Sequence, residues 1–171
     1  MRKAGELLAP HLAALGIILG MAAVAHAQKT NNPPAATYGE KLASALPAPL
    51  EGFSARERVE DNIETGQVRV QRVYLDTDNK PVIMIMVRSE TPATLKNRKD
   101  TFMDAKVVKE KNGEFKNING QKFSILKVKG EYTAMTIVED TYSVLYFGAI
   151  DRTMLLAHIV STDFARIAAA K

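Results

Sequence analysis

The side chains able to do chemistry in this sequence are few, and their spacing organises little. Beyond residue 27 there is one histidine, His158, and the whole chain has neither cysteine nor tryptophan. A histidine metal site needs several ligands, and a nucleophilic triad needs a placed serine and acid. His158 sits in "LLAHIVS", among apolar residues, and reads as a packed histidine. Asp76 and Asp78 flank one turn, and Glu139 and Asp140 form another acidic pair. Paired carboxylates can bind calcium or move protons. "DTDNK" has the start of a calcium loop but not the sixth-position glycine or the closing glutamate. It reads as turn chemistry, with Asp and Asn satisfying nearby backbone. There is no P-loop, no G-x-G-x-x-G and no G-x-S-x-G, so hydrolase and nucleotide readings have no anchor. An enzyme and a bound cofactor are not expected.

The charge distribution says more. The chain has 23 basic and 19 acidic side chains. Residues 96–129 hold ten of the basic ones against Asp100, Asp104, Glu110 and Glu114. Lys96, Arg98, Lys99, Lys106, Lys109, Lys111 and Lys116 are the candidate partner-binding residues. Such asymmetry suits an anionic surface or an acidic protein, and a solvated lysine face is the plainer reading. Lysine dominates and no aromatics are interleaved, so nucleic acid is not an expected partner. "TAMTIVEDTYSVLYFG" offers a second possibility. Met135, Tyr142, Tyr146 and Phe147 could line a pocket for an apolar ligand, or simply a hairpin core.

The N-terminus suggests a compartment. Arg2 and Lys3 precede an uncharged run from Leu12 to Ala25, and Ala25-His26-Ala27 gives a small-x-small site. The run is shorter than the roughly 20 residues a spanning helix needs, and the pattern is that of a secretory signal cleaved between Ala27 and Gln28. A periplasmic or secreted protein without a membrane anchor after processing is expected, with a linker over residues 28–37 and one domain over 38–171.

Strands and helices hold these residues in place. A short helix is expected over Tyr38–Leu46, then "LPAPLEGF" as a turn before a strand near Phe53–Val59. In "QVRVQRVYLD", Val68, Val70, Arg72 and Tyr74 share a face. "PVIMIMVR" reads as a central strand covered on both sides. "SETPATLKNRKDTFMDAKVVKE" reads as a helix capped by Ser89 or Thr91, with Leu95, Phe102 and Ala105 inward. "EFKNI", "QKFSILKVK", "EYTAMTIVE" and "TYSVLYFGAI" read as strands joined by short hairpins. "DRTMLLAHIVSTDFARIAAAK" reads as a closing helix capped by Asp151. The expected fold is α+β: an antiparallel meandering sheet with a crossover helix and a packed C-terminal helix.

On "LPAPLEGF", "SETP" after "VIMIMV", and "INGQKF", the chain resembles the Mog1/PsbP-like group of small α+β domains. The resemblance implies a non-enzymatic accessory or adaptor role, and it carries no site residue across, because members bind very different partners. The expected function is an exported accessory or binding protein that meets an envelope protein or anionic envelope surface through the lysine-rich segment. The alternative is a soluble carrier holding an apolar ligand between sheet and helix.

Overall fold

Alternation in the strands sorts side chains onto two faces, and register aligns them into rows across the sheet. In the computed structural model, which describes residues 37–62 and 65–170, seven strands form one sheet. They are β1 (Ser54–Asn62), β2 (Gln67–Leu75), β3 (Pro81–Ser89), β4 (Glu114–Ile118), β5 (Gln121–Val128), β6 (Glu131–Val138) and β7 (Tyr142–Gly148). Their spatial order is β1-β2-β3-β7-β6-β5-β4, and every pairing is antiparallel. Two meanders, β1-β2-β3 and β4-β5-β6-β7, therefore meet along β3 and β7. The α+β fold with an antiparallel sheet and C-terminal helical packing is as the sequence implies. The expected signal segment, with its cleavage site at Ala27 and Gln28, lies outside the described residues.

One face is the core. Val68, Val70 and Tyr74 of β2, Ile83, Ile85 and Val87 of β3, and Tyr142, Val144 and Tyr146 of β7 are buried on it. Three helices supply the second layer: α1 (Tyr38–Ala43), α4 (Arg152–Val160) and α5 (Phe164–Ala169). They contribute Leu42, Leu155, Ile159, Phe164 and Ile167 to the same cluster. Arg72 shares this face with Val70 and Tyr74, and its charge is answered locally. Its guanidinium donates to the carbonyls of Ala43 (3.1 Å), Leu46 (2.8 Å) and Pro47 (2.9 Å), and pairs with Glu57. The Tyr74 hydroxyl also donates to Pro47 O, at 2.7 Å. These bonds join carbonyls at and just after the end of α1 to β2 and tie the "LPAP" turn to that strand.

Both long helices expected from the sequence are interrupted. The closing helix stops at Val160, and Asp163 restarts it by accepting from Arg166 N at 2.9 Å while its own N–H donates to Ala45 O. The crossover splits into α2 (Pro92–Arg98), a π-helical turn over Lys99–Met103, and α3 (Ala105–Glu110). Thr91 caps α2, and Asp104 takes an extended conformation to cap α3 through Lys106 N and Val107 N. An aspartate mid-segment competes for backbone N–H groups and starts a new helix. Consequently Leu95 and Val108 are the buried residues of these helices, Phe102 is half-buried, and Ala105 is exposed.

The crossover packs over β4, β5, β6 and the adjoining part of β7, on the sheet face opposite α1, α4 and α5. β3 is central, as expected, but its two faces differ. Ile83, Ile85 and Val87 are fully buried, whereas Val82, Met84 and Met86 are only half-buried. The expectation of cover on both sides holds for one face only: the crossover lies against β4 to β7, and the other face of β3 stays partly open.

Candidate functional site

The lysine-rich segment is distributed by its local structure, and the structure separates its members. Lys96 and Arg98 lie on α2, Lys99 opens the π-helical turn, Lys106 and Lys109 lie on α3, and Lys111 follows as its C-cap. Lys96 pairs with Asp100 at 2.9 Å and Lys99 with Asp140 at 2.8 Å. Arg98 Nε lies 3.4 Å from the Glu90 carboxylate, which is almost wholly enclosed and also accepts from Ser143 Oγ at 2.6 Å. Two of these ion pairs, Arg98 with Glu90 and Lys99 with Asp140, hold the crossover to the residue after β3 and to the turn before β7, although Arg98 Nε itself has no hydrogen-bond partner. Lys106, Lys109 and Lys111 are exposed and have no acidic partner among the described residues; Lys111 Nζ stands 6.0 Å from the Phe102 ring. Lys116 is also exposed, but it is paired in register with Phe123, so it belongs to the face opposite α3. The seven candidates thus comprise three engaged cations, three free ones on and beside α3, and one elsewhere.

Beside α3 is a shallow, open depression of about 510 Å³, with Lys99, Met103, Asp104, Lys122 and Ile137 in its lining. It mixes both charges with apolar surface and opens widely to solvent. Such a shape does not enclose a small molecule, which ordinarily loses most of its surface to a pocket.

The other sequence candidates resolve structurally. Asp76 Oδ1 accepts from Asp78 N (2.9 Å) and Lys80 N (2.8 Å), so this carboxylate shapes a turn. Asp140 is engaged with Lys99. His158 is fully buried. Its Nδ1 lies 2.9 Å from Met154 O, its ring meets Tyr74 edge-on at 4.7 Å, and its Nε2 has no partner. Burial holds its pKa below the ordinary value, so the neutral ring is favoured. The Met135, Tyr142, Tyr146 and Phe147 stripe does not line one pocket. The two tyrosines face the inner core, while register puts Met135 and Phe147 on the opposite face. The tyrosines are also tied down. Tyr146 donates to Thr162 Oγ1 at 2.8 Å, the Tyr142 and Tyr38 hydroxyls bond each other, and burial raises both core phenols' pKa.

A second surface was not singled out by the sequence reading. On the sheet face away from α1, α4 and α5, register builds three rows. Arg56, Val73, Met84 and Phe147 form one, and Arg58, Gln71, Met86 and Leu145 the next. Glu60, Arg69, Arg88 and Ser143 form the third. The arginines at alternate positions in β1, and those in β2 and β3, were the available signal. Their significance depended on register, which a single strand does not reveal.

Among the described residues no helix is long and apolar enough to cross a membrane, and no cluster of three or more metal-ligating side chains forms. No protein-family model, curated protein or solved structure matches the chain.

Proposed function

We propose that the chain is an exported, non-enzymatic accessory or binding domain that engages an anionic envelope surface or an acidic protein through the lysines of α3. Lys106, Lys109 and Lys111 carry this reading. They are exposed and free of acidic partners among the described residues, whereas Lys96, Arg98 and Lys99 are spent on internal ion pairs. Unpaired cations in one small region raise the local potential and attract anionic partners over about 8 Å at physiological salt. The export half of the proposal rests on Arg2 and Lys3, the Leu12–Ala25 run and the Ala25-His26-Ala27 site. An accessory role also agrees with the Mog1/PsbP-like resemblance of the turn and strand motifs.

The carrier reading has less behind it. Between the sheet and the inner helices, the space is occupied by fully buried Tyr74, Tyr142, Tyr146, Phe123, Leu155 and Ile159. The test has two arms. N-terminal sequencing of the protein from the envelope fraction should begin at Gln28; intact Met1 in the membrane pellet contradicts export and cleavage. Wild-type protein should be retained on native envelope at low salt and released as salt rises. Absence of retention at low salt contradicts the binding role of α3.

A further inference from the structure

The β2-β3-β7 surface opposite the inner helices joins two features that are costly to leave as they stand. Val73, Met84, Met86, Leu145 and Phe147 lie side by side in register on β2, β3 and β7 and form an apolar patch, each half-buried. A sheet ordinarily buries an apolar face against a second layer. At one end of the patch, Arg69 and Arg88 stand directly opposite each other in register. Like charges in that relation repel. Glu60 lies 3.6 Å from Arg69 Nη1, but it is also paired with Arg58 at 2.7 Å. Arg69 Nη2 donates to Gln71 at 3.3 Å, while Arg69 Nε is buried without an acceptor. Arg88 has no acidic partner among the described residues, and neither has Arg56, at the β1 margin beside Val73. Arg88 is thus unanswered and Arg69 only partly answered by Glu60, and an external carboxylate would add the charge the pair lacks.

We infer that this face is a docking surface for an acidic amphipathic helix of a partner protein. The helix's apolar stripe would cover Met84, Met86, Leu145 and Phe147, and carboxylates on its flanks would reach Arg56, Arg69 and Arg88. Charge complementarity selects this occupant. A second copy of the chain stacked face to face about a twofold axis would bring arginine rims together. A bilayer is disfavoured because each apolar side chain of the patch is half-buried and none stands exposed as a wedge to enter the acyl region. A helix laid on a sheet is how the same molecule covers its other face. The methionines suit the role, since unbranched thioethers repack readily against a partner. This surface is distinct from the lysines of α3, so either proposal can fail alone.

The test uses full-length protein with ¹³C-methyl-labelled methionine. The probe is a synthetic amphipathic peptide of about 14 residues, some four helical turns, with a leucine stripe flanked by glutamates. The Met84 and Met86 methyl signals should shift on titration while Met103 and Met154 stay in place. Affinity should fall as salt rises. A peptide with lysine in place of every glutamate should not bind. Arg88→Gln should weaken binding about tenfold, the scale of one lost charge-assisted contact, and should melt no lower than wild type. Met86→Asp, measured alongside, should abolish binding with the strands intact by circular dichroism. Failure of the acidic peptide to bind at millimolar concentration overturns the inference. Equal binding of the lysine peptide, or a shift of Met103 in place of Met84 and Met86, does so too. Shifts of Met84 and Met86 with anionic vesicles or with protein concentration alone would assign the face to lipid or to self-association, and would equally overturn it.

Discussion

His158 shows how a residue with catalytic potential becomes a structural one. Its sequence neighbours announced a packed position, and the structure gives the reason: a helix turn and Tyr74 enclose the ring, leaving Nε2 without a partner. Since burial lowers the native pKa, the unfolded chain binds more protons than the native one below the ordinary value near 6.5. The stability contributed by neutral His158 is therefore complete above that pH and declines as pH falls through and below it. Thermal melts from pH 8 to pH 5 should show this decline, and His158→Leu should flatten it. An unchanged slope in the variant would place the titrating group elsewhere. The lysines carry a different lesson at this scale. Their number was plain in the sequence, but which of them are free was not. Lys99 meets Asp140 and Arg98 meets Glu90 only because the crossover folds back over the sheet.

At the scale of elements, strands were more legible than helices. Period-two alternation, with Asn119-Gly120 and Gly130 between the runs, identified β4 to β7 closely, because hairpin turns and strand pattern reinforce each other. The helices were joined too freely. Apolar spacing continued through Asp104 and Asp163, yet both side chains cap new helices. An interior aspartate before three free N–H groups was the overlooked signal. The β3–β7 seam that unites the meanders makes a sharper demand. A Cβ on Gly148 would lie 2.1 Å from Val82 O and 2.8 Å from Ile83 Cα, both backbone atoms with little freedom to move. Gly148→Ala should therefore cost at least about 2 kcal/mol in a denaturant melt, in the upper range for overpacking. Near-neutral behaviour would mean that the strands separate there at little cost. Ile85→Ala, on the buried side of β3, should cost ~2–5 kcal/mol; a loss under about 1 kcal/mol would contradict its place in the core.

For the whole molecule, the division of labour follows from the sheet's two sides. One is closed by α1, α4 and α5 around fully buried tyrosines, and the other is partly closed by a crossover that carries free lysines outward. Fold class was legible because it depends on local patterns repeated along the chain. The asymmetry between the faces was not, since "PVIMIMVR" is equally apolar at positions that became closed and half-open. If α3 binds through charge as proposed, its exposed lysines carry binding and contribute little to stability. Lys106, Lys109 and Lys111 should be reversed together to glutamate, and retention on native envelope followed across a salt series beside a thermal melt. The melting temperature should stay within about 5 °C of wild type, since exposed charges contribute little to stability. The salt-sensitive retention expected of wild type should be lost. Retention of the variant equal to that of wild type at low salt would contradict it.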